Sequence, residues 1–408
     1  MNKLYKVLGI SNDGRLKVLD GIRGIAVLMV FLYHTWGNGG GNKLEFFNRN
    51  FTFLVMWGHL GVNLFYVLSG FLLFKPFCEM YYTNSGKIDI KKYFIKRALR
   101  ILPVYYVFIA LSVILTNPNY ISTAGLKIIL INAFFMQNFF INIVPLLNGV
   151  AWTLAIEVQF YILLPLIARF FYGKRNKIAL PLTILFVLGY RLLLYVIMKP
   201  ALTGIDFPFY YATEYNILGC IDNFAIGMTI ANIYLYYKNN ECSYPKWISI
   251  NKYMIGILPI NIAILSYNYY SWRFGNSISQ SALFTFFFDI YSYMSYASLF
   301  IYVLFYESKL KKILSSNILR IFGVIGYSVY IWHLPILNYL LNTNFVSKVD
   351  GWSKYLHLLI LGIIIIIPFS VGMYVFVEKY FIDISSKINL IKHNNKIDSF
   401  GDKVVATK

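Results

Sequence analysis

The sequence predicts an all-α fold, a polytopic bundle of transmembrane helices that crosses the bilayer about ten times with both termini in the cytoplasm. Hydrophobic residues make up 58% of the 408 residues and charged residues only 13%, whereas roughly 25% of a soluble domain is charged. Apolar runs recur along the whole chain, and each approaches the roughly 20 residues that cross the hydrocarbon core. A soluble domain could not bury this much apolar surface, so we expect the runs to be membrane spans.

Ten apolar runs are predicted to span the membrane. In chain order they are Leu19–Trp36, Thr52–Phe77, Ile101–Thr116, Trp152–Tyr172, Ile178–Met198, Ile217–Tyr237, Tyr253–Tyr270, Ala282–Phe305, Ile321–Leu341 and Tyr355–Val377. The first run contains Arg23 and is followed by no small-residue cleavage site. We therefore expect it to remain as the first helix rather than to be removed as a signal peptide.

An eleventh run, Ile121–Phe140, is interrupted by Asn132, Gln137 and Asn138. Basic residues decide whether it spans, because Lys and Arg concentrate in cytoplasmic loops. With ten spans and a cytoplasmic N-terminus, 29 of the 37 basic residues fall on the cytoplasmic side, whereas an eleventh span would move the basic cluster 174–177 outside. We therefore predict a re-entrant or interfacial segment near 121–140, at the outer surface, where protein or a wet cavity must surround it.

The domain organisation is predicted to be simple, with a membrane-embedded domain over residues 1–386 and a polar cytoplasmic tail over residues 387–408. The net charge of +20 follows from the basic cytoplasmic loops rather than from a basic face on a soluble module, so no nucleic-acid partner is expected. The cysteines Cys78, Cys220 and Cys242 have no metal or redox spacing, and no metal site is predicted.

Ionisable residues inside the spans are the strongest indication of function, because each costs a few kcal/mol or more in hydrocarbon. Arg23 and His34 lie eleven residues apart in the first span, which at about 100° per residue places them on nearly the same helix face and about 16 Å apart along the axis. Arg23 is predicted near the cytoplasmic edge and His34 in the outer third. A snorkelling arginine and a hydrogen-bonded core histidine explain the same pattern without a site.

The second span carries polar residues along its length. His59 and Asn63 lie one turn apart in its outer half. Ser69 and Gly70 are most simply small residues that permit close helix packing. Asn63, Tyr66 or Ser69 could donate a hydrogen bond to an oxyanion.

Arg97 and Arg100 precede the third span and lie on one helix face at the cytoplasmic mouth. Guanidinium groups bind phosphate through two parallel hydrogen bonds. Together with Arg23, these residues predict a site for an anionic ligand that approaches from the cytoplasm. Charges that stop translocation and bind lipid headgroups are the alternative explanation.

Glu157 lies five residues into the fourth span, roughly 8 Å along the helix axis, at a depth comparable with that of His34. A carboxylate beside an imidazole fixes its tautomer and stabilises its protonated form, so we expect Glu157 to pair with His34. Asp222, Asp289 and His333 also fall in the outer halves of their spans, where ordinary structural pairing is the simpler explanation.

Five segments that contain these residues resemble the acyltransferase-3 family, multipass membrane enzymes that O-acylate bacterial cell-surface carbohydrates. The segments occur in family order, and the resemblance extends from residue 19 to about residue 335. They are Leu19–Ala26 continuing to Tyr33 and His34, Gly61–Phe71, Arg97–Pro103, Trp152–Tyr161 and Gly326–Pro335.

The resemblance implies that acyl-coenzyme A, usually acetyl-CoA, is the donor and that a carbohydrate hydroxyl is the acceptor. It assigns Arg23 and His34 to donor binding and catalysis, and it makes Glu157, Arg97 and Arg100 site residues. The further candidates for contact with substrate or an oxyanion are Asp20, Asn63, Tyr66, Ser69, Trp152 and His333. Two features depart from the family pattern: Asn63 stands where an acid is common, and no esterase-like domain is expected after the last span.

The predicted reaction places the phosphates of coenzyme A at the three arginines and the thioester near His34. His34 then acts as a general base on the acceptor hydroxyl, a role that typically contributes about 10²- to 10⁴-fold, while Glu157 orients it. An acyl-enzyme route through His34 or Ser69 is disfavoured, since Ser69 has no obvious neighbouring base.

Two other functions fit the same residues. A transporter or flippase for a glycan or a lipid-linked precursor would line its path with polar groups, although no inverted repeat of the kind common in transporters is visible. A donor-binding module would pass the acyl group to a partner protein. The outer loops contain no recognisable sugar-binding motif, so the acceptor and the acyl chain are not predicted from the residues.

Overall fold

The structure is a computed structural model of the chain and describes residues 16–41, 52–116, 122–147, 149–198, 207–240 and 295–388, with the short pieces 8, 10, 45–46, 49–50 and 390–392. Helices dominate these residues. In chain order they are α1 Lys17–Asn38, α2 Phe53–Met56, α3 Gly61–Thr83, α4 Ile90–Thr116, α5 Thr123–Ala133, α6 Trp152–Ile167, α7 Asn176–Met198, α8 Phe207–Glu214, α9 Ile217–Asn240, α10 Ser295–Phe305, α11 Lys309–Leu314, α12 Asn317–Val324, α13 Gly326–Leu341, α14 Asn344–Ser347, α15 Gly351–Met373 and α16 Lys379–Ser386.

The remaining elements are short. Single 3₁₀ turns cover Trp57–Leu60, Gln137–Phe139, Ala168–Phe170 and Gly173–Arg175, and a π-helical turn, Tyr374–Glu378, joins α15 to α16. Two antiparallel ladders of two residues each pair β1 Glu45–Phe46 with β2 Arg49–Asn50 and β3 Lys87–Ile88 with β4 Ile391–Lys392. The predicted helical architecture is therefore confirmed, with minor strand pairs outside the helices.

In the part of the chain that the structure describes, seven helical segments are long and apolar enough to cross a membrane. They are Lys17–Asn38, Gly58–Thr83, Ile90–Ile114, Trp152–Phe170, Gly173–Met198, Ile217–Asn240 and Gly351–Ser386. The pair α12 and α13, bent by 71°, forms an eighth candidate if it is one broken span. These correspond to eight of the ten predicted runs. Of the other two, Tyr253–Tyr270 and most of Ala282–Phe305 lie outside the described residues.

Helix α1 is central to the bundle and packs on α3, α12, α13 and α15. Its crossing with α12 is so close that a Cβ atom on Gly323 would lie 1.9 Å from the backbone oxygen of Asp20. Helices α3 and α9 approach equally closely, since a Cβ atom on Gly70 would lie 2.2 Å from the backbone oxygen of Phe224. The packing role predicted for Gly70 is thus confirmed.

The predicted re-entrant segment folds as the short helix α5 followed by turns. Helix α5 has 11 residues, well below the roughly 20 that a span needs, so the segment does not cross as one helix. The side chains of Gln137 and Asn138 are buried, and their amide groups donate hydrogen bonds to the backbone oxygens of Ala151 and Trp152, each at 3.0 Å. These bonds anchor the segment to the start of α6.

The predicted tail begins in contact with the bundle. Lys392 pairs with Lys87 in the β3–β4 ladder, and the backbone oxygen of Leu390 accepts a hydrogen bond from the backbone N–H of Asp89 at 2.8 Å. Residues 393–408 lie outside the described residues.

Candidate active site

Arg23, Arg97 and Arg100 line one cavity of about 530 Å³, which we call the arginine cavity. Its walls come from α1, α3, α4, α12 and α16. Among its described lining residues, six are basic and two are acidic; besides the three arginines they are Lys75, Lys96, Lys379, Asp20 and Asp383. The fold therefore brings together the three arginines that the sequence grouped, in a cavity whose charge favours an anion.

Two of the arginines have carboxylate partners. Arg23 lies 3.6 Å from Asp20 one turn earlier on α1, and Arg100 lies 3.7 Å from Glu378. Arg97 forms no ion pair with any described residue; its guanidinium lies 5.7 Å from the centre of the Tyr93 ring, and its buried Nε atom has no hydrogen-bond partner. Arg97 is thus the arginine best placed to take an external anion.

Glu157 does not contact His34, and that predicted pairing is wrong. The buried carboxylate instead accepts hydrogen bonds from the Ser69 hydroxyl at 3.0 Å and from the Tyr161 hydroxyl at 2.9 Å. Glu157 and His34 were predicted at comparable depths, but their side chains do not face each other. Ser69 therefore has a carboxylate neighbour, contrary to the expectation that it has none.

His34 pairs with His333 of α13. The Nε2 atom of His333 lies 3.2 Å from Nδ1 of His34, with the ring centroids 5.0 Å apart. His333 is buried, whereas His34 is partly accessible. The sequence named His333 as a candidate but did not predict this contact.

The hydrogen bonds around the two rings assign their tautomers. A carbonyl oxygen only accepts, so Nδ1 of His333, at 2.6 Å from the Tyr330 oxygen, carries the proton and its Nε2 accepts. Nδ1 of His34 then faces two acceptors, His333 Nε2 and the Val30 oxygen at 3.0 Å, and must be the donor. Neutral His34 therefore keeps the lone pair on Nε2, which forms no hydrogen bond with the described residues.

A second, narrow cavity of about 20 Å³ lies along α1 between Arg23 and His34. Its lining includes Ala26 and Val30 on α1 and the side chains of Tyr66, Glu157 and Tyr330. The Tyr66 hydroxyl is buried and has no hydrogen-bond partner among the described residues. A buried hydroxyl without a partner is costly, so this atom is available to a bound ligand.

The other candidates divide between the arginine cavity and the ends of α3 and α6. Asp20 lines the arginine cavity beside Arg23. Asn63, half-buried in the first turn of α3, forms no side-chain hydrogen bond to a described residue. Trp152 begins α6 and stacks on Tyr215 with the ring centroids 3.9 Å apart.

Two buried partners were missed by the sequence analysis. Tyr161 follows Glu157 by one helical turn, a spacing at which side chains meet, and this signal was available. Glu378 follows the last predicted span, which ends at Val377, so the pattern of apolar runs did not mark it as a residue at membrane depth. The structure buries Glu378 beside Arg100.

Comparison with known proteins agrees with the resemblance. A family model described as an acyltransferase domain, acyltransferase-3, matches residues 16–375. YrhL of Bacillus subtilis, named as a candidate peptidoglycan O-acetyltransferase, is 25% identical over 340 residues, which cover 78% of this chain and 48% of that protein. The O-acetyltransferase OatA of Staphylococcus aureus is 26% identical over 348 residues, which cover 78% of this chain and 50% of that protein.

The chain thus spans about half the length of the curated relatives that it matches. No solved structure matches it. Because the family model covers residues 16–375, most of the 408-residue chain, the chain belongs to the acyltransferase-3 family.

Proposed function

We propose that the protein is a membrane O-acyltransferase that moves an acyl group, an acetyl group in the first instance, from cytoplasmic acyl-CoA to a hydroxyl of a cell-surface or exported carbohydrate. The observation that carries this proposal is the arrangement along α1. A basic cavity lies at Arg23, a histidine pair lies at His34, and a narrow cavity lies between them.

The arginine cavity suits the phosphates of coenzyme A. Arg97 has no carboxylate partner in the described chain, and Arg23 and Arg100 lie 3.6 and 3.7 Å from theirs, so all three could turn to a phosphate that binds through charge-assisted hydrogen bonds. The pantetheine arm is on the order of 15 to 20 Å long, comparable with the rise of about 16 Å from Arg23 to His34. The narrow cavity is the path for this arm, which requires its apolar walls to part.

At the outer end, Nε2 of His34 takes the proton from the acceptor hydroxyl. The oxygen attacks the thioester carbonyl carbon, and the Tyr66 hydroxyl donates to the resulting oxyanion. When the tetrahedral intermediate collapses, the carbon–sulfur bond breaks, and the proton passes from His34 to the thiolate. His333 replaces Glu157 as the residue that holds the His34 tautomer. Glu157 lies on the wall of the path, where the Ser69 and Tyr161 hydroxyls hold its carboxylate.

The acceptor class follows from the relatives. YrhL carries a name that refers to peptidoglycan, so a peptidoglycan sugar hydroxyl is the first acceptor to examine. Such an acceptor lies outside the cell membrane, which agrees with the orientation predicted from the basic residues, with His34 toward the outer surface and the arginines toward the cytoplasm.

The topology that this route requires has ten spans, both termini in the cytoplasm and the tail 387–408 on the cytoplasmic side of the cell membrane. The distribution of Lys and Arg supports this orientation, and the segment 121–140 then lies over the outer mouth.

An assay with purified protein in detergent separates the proposal from its rivals. We expect release of free coenzyme A thiol that depends on both acetyl-CoA and a soluble peptidoglycan fragment, together with the mass of an acetylated fragment. A transporter or flippase would release no thiol. A donor-binding module would become acetylated itself and leave the fragment unmodified.

A further inference from the structure

A buried carboxylate lies behind the wall of the arginine cavity. Glu378 is 2% exposed and does not line the cavity, whereas Tyr374 and Lys379, on either side of it in the chain, do. It belongs to the π-helical turn Tyr374–Glu378, a feature frequent at functional sites. It also lies just beyond residues 16–375, which match the family model.

The two carboxylate oxygens of Glu378 have different surroundings. One accepts a hydrogen bond from the buried Ser328 hydroxyl at 3.0 Å. The other lies 3.7 Å from Nη1 of Arg100 and forms no hydrogen bond with any residue that the structure describes. Ser328 therefore fixes the carboxylate, and the carboxylate holds Arg100 beside it by charge rather than by a direct hydrogen bond.

The contacts around Glu378 join three helices. Ser328 belongs to α13, Glu378 follows α15, and Arg100 belongs to α4. The Tyr327 hydroxyl donates to the backbone oxygen of Ile101, next to Arg100, at 3.0 Å. Arg100 thus lies between two fixed groups. Tyr327 holds the backbone next to it, and Ser328 holds the Glu378 carboxylate beside its guanidinium.

We propose that Glu378 is a positioning residue for the donor: anchored by Ser328, it holds the Arg100 guanidinium against the cavity wall in the orientation that receives a donor phosphate. This inference rests on the proposed function, because it takes acyl-CoA as the anion. Without the carboxylate, the basic side chains around the cavity would repel Arg100 away from its place.

A positioning role and a direct effect of charge predict opposite changes in donor affinity when Glu378 is neutralised. Removing a negative charge near an anionic ligand strengthens binding through Coulomb attraction alone. If Glu378 acts by orienting Arg100, its neutralisation weakens donor binding instead. Asp383 provides the matched control, because it lines the cavity itself and has no described arginine partner.

The experiment measures acetyl-CoA binding by titration calorimetry to the full chain in lipid nanodiscs, for wild type, Glu378→Gln, Ser328→Ala and Asp383→Asn. We expect the Kd to rise roughly tenfold for Glu378→Gln, the low end of the 10- to 100-fold cost of losing a partner that orients a metal ligand. Ser328→Ala keeps the charge and should raise the Kd less, by about threefold. Asp383→Asn should lower the Kd, because it removes a negative charge from the cavity lining without disturbing an arginine.

Further readouts separate positioning from loss of structure. Glu378→Gln should raise the KM for acetyl-CoA while leaving the KM for the acceptor within about twofold, which general destabilisation would not do. If Glu378→Gln does not fold, Ser328→Ala decides alone, and an unchanged Kd for that variant overturns the proposal. If the wild type binds acetyl-CoA and the Kd of Glu378→Gln is unchanged or lower, only this inference is overturned. Failure of the wild type to bind acetyl-CoA overturns the proposed donor as well.

Discussion

Nε2 of His333 lies 3.2 Å from Nδ1 of His34, and this contact, together with the Val30 oxygen at 3.0 Å, leaves Nε2 as the nitrogen of His34 that can act as a base. His333 is itself fixed by the Tyr330 oxygen at 2.6 Å. The pair lies where α1 and α13 cross, so the geometry of the predicted base depends on two helices far apart in sequence.

Replacing His333 by Ala should lower kcat by roughly 10- to 100-fold, at or below the lower limit of the about 10²- to 10⁴-fold that a general base contributes, because His34 loses one of the two acceptors for its Nδ1 proton. The KM for acetyl-CoA should change little, since the proposed site for the donor phosphates lies at the far end of α1. His34→Ala should reduce turnover further. Steady-state kinetics on folded protein check both variants, and a fully active His333→Ala would exclude the proposed role of the pair.

Replacing Arg97 by Gln should raise the KM for acetyl-CoA by about 10- to 100-fold, the effect of losing a hydrogen bond between charged groups worth roughly 1.5–3 kcal/mol. Arg169 is the matched control, because it is exposed and does not line the arginine cavity. Arg169→Gln should leave the KM within about twofold. Equal effects of the two substitutions would show that the arginine cavity is not the donor site.

Replacing Ser69 by Ala tests the acyl-enzyme route. Ser69 donates to Glu157 at 3.0 Å, and in direct transfer it supports the wall of the path rather than carrying the acyl group. Ser69→Ala should therefore keep measurable turnover. Wild-type protein incubated with acetyl-CoA alone should yield no acetylated peptide that contains Ser69, as judged by mass spectrometry. Detection of that peptide, with loss of turnover in Ser69→Ala, would establish the covalent route.

Replacing Gly70 by Ala should lower the thermal unfolding temperature by several degrees, because the new methyl group would meet the Phe224 backbone oxygen, and overpacking of this kind typically costs about 1–3 kcal/mol. Gly189 on α7 is the control, since a Cβ atom there meets nothing within 4 Å. Gly189→Ala should leave the temperature unchanged. Thermal shift measurements in detergent compare the two, and equal temperatures would contradict the close α3–α9 packing.

The hydropathy pattern predicted which segments are candidate spans, but not where the helices begin or bend. The run Ile321–Leu341 reads as one predominantly apolar span, yet the structure breaks it by 71° between α12 and α13, where Gly323 packs against Asp20. Helix α4 begins at Ile90, before the predicted start at Ile101, because a helix can continue past the hydrocarbon edge into polar sequence. Tertiary contacts decide both features, and they are invisible to a hydropathy window.

The candidate site was likewise only partly predictable from the sequence. Charge and the helical period were sufficient to group Arg23, Arg97 and Arg100 and to place His34 at the other end of α1. The contact of Glu157 with Ser69 on another helix was not predictable, because depth along a helix does not give the rotation of that helix against its neighbours. The His34–His333 and Glu157–Ser69 contacts depend on that rotation.

Transfer across a sealed membrane tests the central claim most directly, that an acyl group passes along α1 from the arginine cavity to His34. Proteoliposomes would hold acetyl-CoA on one side only and a peptidoglycan fragment on the other, with His34→Ala as the inactive control. The account predicts acetylated fragment, in proportion to the protein oriented with its arginine cavity toward acetyl-CoA. Acetylation only when donor and acceptor share one compartment would contradict it.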